Sequence, residues 1–213
     1  MKLVCVDRDG TINKDENFYL GSQENWRELV EFLPGIIEGV SRLNSEGIRP
    51  FIITQQSGVA LGKLDEARMT EVNEFVIQRA REVGADFAGY FCCPFIERKK
   101  ADDYITKGRV VIPDYIRDNH PDIKPNSGMV RQAARALGFN RLGDLDVYVA
   151  GDRFSDVMTG IYSGGTGILI AGYKTQELDD VRKVEALGDS LRRRTFVAED
   201  FLGAVKFILD IVN

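Results

Sequence analysis

Two aspartates one residue apart, Asp7 and Asp9, close the first apolar run of the chain, Leu3-Val4-Cys5-Val6, and Gly10 follows them. A buried strand has little use for a carboxylate at its exit, because desolvating a charge is costly unless something pairs with it. Two carboxylates at the carboxyl edge of a sheet suit a metal-assisted nucleophile with a second acid beside it. The same residues also turn chains, so Asp7 and Asp9 have a plainer reading as turn formers. Three more polar signals fall beside strand or helix patterns: Thr54 after Phe51-Ile52-Ile53, Lys124 before Pro125 and a helix, and Asp152 with Asp156 after Val147-Tyr148-Val149-Ala150. Ligands of open α/β sheets sit outside the carboxyl ends of the strands, which is where three of these four signals fall.

The elements that must position them alternate between strand and helix almost throughout. That alternation predicts an α/β fold with a mainly parallel sheet. Strands are expected at Lys2–Val6, Phe51–Ile53, Phe87–Phe91, Val147–Ala150, Gly167–Ile170 and Thr195–Val197. Apolar residues at helical spacing predict helices over Gly35–Ser45, through Met69, Val72, Val76, Ala80 and Val83, over Asn126–Leu137, and around Ile161. Asn126 or Ser127 is a candidate cap for the third of these, and Asp200 for a closing helix through Phe201, Val205 and Ile208. Residues 175–194 read as a charged helical excursion, and Glu97–Asp122 as a polar loop with one apolar patch at Val110-Val111-Ile112.

A length of 213 residues suits one domain with room for a substantial core. The net charge is −5, and the basic triplets Arg98-Lys99-Lys100 and Arg192-Arg193-Arg194 have acidic neighbours, so nucleic acid is not the expected partner. No apolar run reaches membrane-spanning length, and the chain passes straight into a strand without a segment of signal type. Three cysteines, Cys5, Cys92 and Cys93, make no disulfide framework. A reducing cytoplasm is the expected location, and a monomer the default state.

The ordered set Asp7-Arg8-Asp9-Gly10-Thr11, Thr54, Lys124-Pro125 and Gly151-Asp152-Arg153-Phe154-Ser155-Asp156 resembles the haloacid dehalogenase superfamily of phosphohydrolases. Within it, Asp7–Asn13, the run Thr54-Gln55-Gln56-Ser57-Gly58-Val59-Ala60 and the run Lys124-Pro125-Asn126-Ser127-Gly128-Met129 are similar to the branch of heptose bisphosphate and histidinol phosphate phosphatases. The resemblance implies a Rossmann-like three-layer sandwich over residues 1–213 with a minimal cap, made of a flap at about 13–30 and a loop insertion at about 95–122. It implies a Mg²⁺-dependent phosphatase for a small phosphorylated metabolite, a sugar phosphate of heptose bisphosphate type. Asp7 would be the nucleophile that carries an aspartyl-phosphate. Asp9 would protonate the leaving alcohol and then take a proton from water; a single aspartate would suffice for dehalogenation. Asp7 and Asp152 would hold Mg²⁺ through side chains and Asp9 through its backbone carbonyl, hard oxygen ligands of the kind that ion takes. Thr54 would bond the phosphoryl oxygens, and Lys124 would neutralise Asp7 and phosphate charge. Gln55, Gln56 and Arg153 would contact substrate or support those that do. Asp156 would act behind the metal or through water, with helix capping as its plainer role.

Departures from the family bear on cofactor and substrate. Many relatives hold a structural zinc through a Cys/His loop before the lysine motif; here Cys92-Cys93-Pro94 begins that region and His120 is the one histidine of the chain. Adjacent cysteines and one histidine make a poor tetrahedral site, so structural zinc is not expected. Leu61, and Asp122 with Ile123, stand where relatives often carry arginines that help bind a second phosphate. Their absence points to a different, singly phosphorylated substrate. Phe18, Tyr19 and Trp26 of the flap are either substrate contacts or buried anchors. Histidinol phosphate phosphatase is the alternative within enzymes. A phospho-accepting regulatory domain, or a binder that has lost turnover, is the alternative outside them.

Overall fold

Leu3, Val4, Cys5 and Val6 are all buried, and their alternation sets the layering of the molecule. Val4 and Val6 face one apolar cluster and Leu3 and Cys5 the other, so this strand is covered on both sides, as strands of parallel sheets are. The computed structural model describes residues 1–15, 19–172 and 177–210. The elements, in chain order, are β1 (Lys2–Val6), α1 (Ile36–Ser45), β2 (Phe51–Gln55), α2 (Glu66–Glu82), β3 (Gly89–Cys93), α3 (Arg98–Thr106), α4 (Gly128–Ala136), β4 (Asp146–Gly151), α5 (Phe154–Tyr162), β5 (Thr166–Ile170), α6 (Glu177–Glu185), α7 (Asp189–Arg192), β6 (Thr195–Ala198) and α8 (Phe201–Ile208).

The six strands form one parallel sheet in the order β3-β2-β1-β4-β5-β6. Helices α1, α2 and α8 cover one face through Val40, Val76 and Val205, and α4 covers the other through Met129, Val130 and Ala133. On that second face α5 and α6 extend the cover onto Leu169 through Val157 and Val184. The result is the parallel α/β sheet expected from the alternation, in the three layers that the resemblance implies. Chain order runs outward from β1 through β2 to β3 and then returns to β4 on the other side. The crevice between β1 and β4 is therefore the switch point at which open α/β sheets bind ligands.

Local capping follows the sequence where a side chain is placed to accept. Asp65 accepts the Arg68 N–H at the start of α2, and Asp200 accepts the Gly203 N–H at 2.7 Å at the start of α8. Neither candidate cap of α4 closes that helix: Ser127 makes no capping bond, and Asn126 donates to the His120 carbonyl instead. Strand β3 begins two residues later than expected. Phe87 is strand-like in type but is fully buried in the core ahead of the sheet, and pairing with β2 starts at Gly89 opposite Phe51.

The segment read as a polar loop contains helix α3, nine residues long. Its apolar signal is too thin to show periodicity, because Ala101 is its one fully buried residue. A small satellite core holds the segment down: Ala60, Ile96 and Ala101, with Tyr104, Val111, Tyr115 and Ile116 packed on them. The Ile112 N–H donates to the Ala60 carbonyl, tying the insertion to the turn after β2. Trp26 is fully buried and meets Phe75 of α2 edge-on at 5.2 Å, so it anchors its segment to the core. Phe18 lies outside the described residues. No described helix is long and apolar enough to cross a membrane.

Candidate active site

Asp7 leaves β1 beside the end of β4, its N–H donating to the Ala150 carbonyl at 2.8 Å. Asp152 and Asp156 follow β4 and enter α5, and these three aspartates bring carboxylate oxygens within 4.8 Å of one another. All three are buried. Lys124 reaches into the group from the loop before α4: its Nζ donates to Asp7 Oδ1 at 2.5 Å and to Asp156 Oδ1 at 2.6 Å. Lys124 is itself buried.

Three buried carboxylates around one buried ammonium leave a formal charge of −2. The guanidinium of Arg153 approaches Asp152 Oδ2 at 3.3 Å, but it is about half exposed and neutralises little. Burial pushes the Asp7 carboxyl well above the usual carboxylate range; Lys124 opposes this, while the Asp156 and Asp152 carboxylates add to it. Burial works against the charge on Lys124, yet the Asp156 and Asp7 carboxylates outweigh it and hold the ammonium above its usual value. The cluster thus keeps its lysine charged and carries an excess of negative charge. A hard divalent cation with oxygen preference fits that donor set and that excess.

Asp156 has a larger part than the motif suggests. Its Oδ2 accepts the Arg153 N–H at 3.1 Å, which caps α5, while its Oδ1 takes Lys124. Gly151 makes room for it, since a Cβ there would lie 2.3 Å from Asp156 Cγ. Capping, lysine pairing and membership of the carboxylate group therefore coincide in one residue.

Asp9 lies across the cavity with its carboxylate gripped by its neighbour. Arg8 Nε donates to Asp9 Oδ1 at 2.9 Å and Nη2 to Oδ2 at 2.6 Å, and Asn13 Nδ2 adds a bond to Oδ1 at 3.2 Å. Gly10, at φ 89°, makes the turn that folds this loop back on itself.

Thr54 is the fourth residue of β2 rather than the first after it, and it is buried in the wall of the same cavity. Gln55 spends its amide on scaffolding: Oε1 accepts the Lys124 N–H at 3.2 Å and Nε2 donates to the Phe95 carbonyl at 3.3 Å. The Gln56 side chain turns to Asn73, whose Nδ2 donates to Gln56 Oε1 at 2.6 Å. Asn73 was missed by the helical reading of α2. Its signal is a polar residue on the same face as Met69, Val72, Val76 and Ala80, and it is fully buried.

All nine residues singled out from the sequence, Asp7, Asp9, Thr54, Gln55, Gln56, Lys124, Asp152, Arg153 and Asp156, line one cavity of about 1520 Å³. Tyr19, between β1 and α1, lines it as well. The insertion adds Lys100, Tyr104, Arg109 and Val110, and the turn before α2 adds Lys63. Sequence reasoning assigned none of these last five to the site; Lys100 and Tyr104 lie on α3, which was not visible as a helix. Cys93 is buried in the sheet core, and burial pushes its thiol up to about 12 and that of Cys92 above its usual range. His120 packs on Phe95 at 4.5 Å between ring centres.

No family model matches the chain. A heptose 1,7-bisphosphate 7-phosphatase of Mesorhizobium japonicum is 28% identical over 193 residues, covering 88% of this chain and 80% of that protein. The Escherichia coli protein of the same name is 26% identical over 168 residues, covering 78% of each chain. The crystal structure of a heptose 1,7-bisphosphate phosphatase from B. bronchiseptica, complexed with magnesium and phosphate, has the same fold, with a TM-score of 0.72 and 24% identity over the full length of both chains. The sequence relatives thus carry the name of the branch that the motifs resemble, the heptose bisphosphate phosphatases, and the solved structure shares the fold.

Proposed function

We propose that this chain is a Mg²⁺-dependent phosphatase that hydrolyses a phosphate monoester of a small sugar, through an aspartyl-phosphate on Asp7. The observation that carries this reading is the buried group of Asp7, Asp152 and Asp156 bridged by Lys124 at the switch point of the sheet. Asp7, Asp152 and the Asp9 carbonyl would hold the cation, with Asp156 beside them. When bound, the cation supplies charge neutralisation between carboxylate and phosphate.

Lys124 occupies one oxygen of Asp7 and leaves the other for attack on phosphorus. As the Asp7–phosphorus bond forms, the bond to the sugar oxygen breaks, and that oxygen takes a proton from Asp9. Water then attacks the aspartyl-phosphate and gives its proton to Asp9. The Asp7–phosphorus bond breaks, phosphate leaves, and both aspartates regain their starting forms. Thr54 bonds the phosphoryl oxygens during both displacements, and Lys124 balances the charge that gathers on them.

The relatives are named for a 1,7-bisphosphate, and a heptose bisphosphate is the substrate to test first. The expectation of a singly phosphorylated substrate rests on the arginines absent at 61 and 122–123. The cavity instead carries Lys63, Lys100 and Arg109, none of them in an ion pair with a carboxylate among the described residues, and these suit a second anionic group. The test is phosphate release from a panel of sugar mono- and bisphosphates and histidinol phosphate, with Mg²⁺ or excess chelator, by wild type and Asp7→Asn. Turnover that needs both Mg²⁺ and Asp7 supports the reading, and undiminished release by Asp7→Asn defeats it.

A further inference from the structure

Asp9 is the visible end of a buried polar chain that begins in the middle of α2. Arg8, fully buried, uses all three guanidinium nitrogens: Nε and Nη2 on the two oxygens of Asp9, and Nη1 on Asn73 Oδ1 at 2.7 Å. Asn73 is held in turn by two donations from Nδ2, to Gln56 Oε1 at 2.6 Å and to the Met69 carbonyl at 2.9 Å. The backbone N–H of Gln56 bonds the Cys93 carbonyl at 2.8 Å, which fixes that end to the sheet.

Burying a guanidinium is costly unless its edges are satisfied, and a buried Asn on an apolar helix face is costly for the same reason. Apolar side chains at both positions would pack against the same core without that cost. What the polar pair provides is the place and plane of one carboxylate, because a two-pronged guanidinium–carboxylate contact fixes orientation as well as distance. The fork takes one lone-pair site on each Asp9 oxygen and Asn13 a third, which leaves a site for the proton in transit. The Asp9 side chain remains 30% exposed, so it is gripped without being closed off from the cavity.

Resting on the phosphatase reading above, we infer that Arg8 and Asn73 are positioning residues for proton transfer by Asp9. Arg8 orients the carboxylate, and Asn73 orients Arg8. In the first displacement the electron pair of the breaking phosphorus–oxygen bond goes to the leaving oxygen, which takes the Asp9 proton. An alkoxide needs that proton; a dinitrophenolate leaves well without it.

The test compares a sugar phosphate with 2,4-dinitrophenyl phosphate, both with saturating Mg²⁺. Arg8→Lys keeps the charge but not the fork, and lowers kcat on the sugar phosphate by about 10²-fold with KM within about twofold, the scale of a misplaced general acid. On the dinitrophenyl ester its kcat/KM, which reads the first displacement alone, stays within about threefold of wild type, whereas kcat falls because the water step still uses Asp9. Asn73→Leu shows the same split. Asn73→Asp, which keeps the acceptor for Arg8 while the Gln56 amide turns to donate and the Met69 carbonyl loses its donor, recovers at least about tenfold of it. Should Arg8→Lys not fold, the two Asn73 variants decide the matter on the same readouts. Equal loss of kcat/KM on both esters, or a rise in KM alone, overturns the inference. Wild type inert to both esters would count against the phosphatase reading itself, and the positioning role would fall with it.

Discussion

Replacing Lys124 by methionine tests the charge balance on which the site is built. Methionine fills much of the same space, so the main change is loss of an ammonium that bonds Asp7 at 2.5 Å and Asp156 at 2.6 Å. Removing one partner of a buried ion pair typically costs about 3–5 kcal/mol, because the remaining charge is left uncompensated. Here two carboxylates lose their shared partner and Asp152 lies beside them, so the loss belongs at the upper end of that range in chelator at pH 8. That is a large share of the roughly 5–15 kcal/mol that folds an ordinary domain. Two conditions then restore stability. Lowering the pH lets the Asp7 carboxyl take up a proton: its folded-state value lies above the unfolded one, so the folded variant gains stability as pH falls from 8 toward 5. Mg²⁺ replaces the missing charge, so at one and the same concentration it stabilises the variant more than wild type; a ligand at 100 times its Kd contributes about 2.7 kcal/mol. Wild-type Lys124, raised above its unfolded value, contributes fully through neutral pH and loses its contribution only as pH rises through its folded value. The assay is urea unfolding of both proteins at pH 5.5 and 8, with Mg²⁺ or chelator. A loss below about 1 kcal/mol at pH 8 in chelator, or one indifferent to both pH and Mg²⁺, would refute the reasoning.

Three other expectations follow from packing and surface charge. Gly151→Ala puts a methyl 2.3 Å from Asp156 Cγ, so Asp156 must move; it costs about 1–3 kcal/mol by denaturation and lowers Mg²⁺ affinity by calorimetry, whereas unchanged affinity would show that Asp156 is not held by this contact. Trp26→Phe costs about 1–3 kcal/mol and leaves KM within about twofold, because the ring is buried against Phe75; a large rise in KM would place it against substrate. Slight burial raises Asp86, but Arg81 and Arg49, at 3.0 and 2.7 Å, outweigh it and hold the carboxyl below its usual range. That stability is present above the unfolded value and lost as pH falls through the folded one, so Asp86→Asn costs roughly 0.5 kcal/mol or less at pH 7 and nothing near pH 2; an effect that grows in acid would contradict it.

The sheet was legible because both-faced burial writes continuous apolar runs, as in Leu3–Val6 and Phe51–Ile53, and because capping needs particular side chains, as at Asp200. Ser127 and Asn126 look equally suited to capping, yet the chain around His120 takes the Asn126 amide. Such competition between nearby acceptors has no trace in a linear pattern. Helix α3 was hidden because it packs on a satellite of three buried residues rather than on the main core, so it needs only one inward position. The site itself was legible as a set of motifs, whereas Asn73, Lys100 and Arg109 were not: Lys100 and Arg109 join the cavity, and Asn73 the bonds behind it, through packing of elements distant in sequence.

The two halves of the site are separately insulated, and this is what makes their charges usable. Asp7, Asp152 and Asp156 share Lys124 on the β4 side, while Asp9 is held by Arg8 and Asn73 on the β2 side. Asp7 and Asp9 are only one residue apart, and a common partner would tie the charge of one to that of the other. Intervening Arg8 instead takes Asp9 alone, and Lys124 takes Asp7 from the opposite layer of the fold. The parallel sheet allows this, because α2 and α4 pack on opposite faces: Asn73 of α2 backs Arg8 from one side, and Lys124, on the loop before α4, reaches the crevice from the other. A nucleophile and an acid with separate partners can follow opposite proton histories through a reaction, which is what a double displacement at phosphorus asks of them.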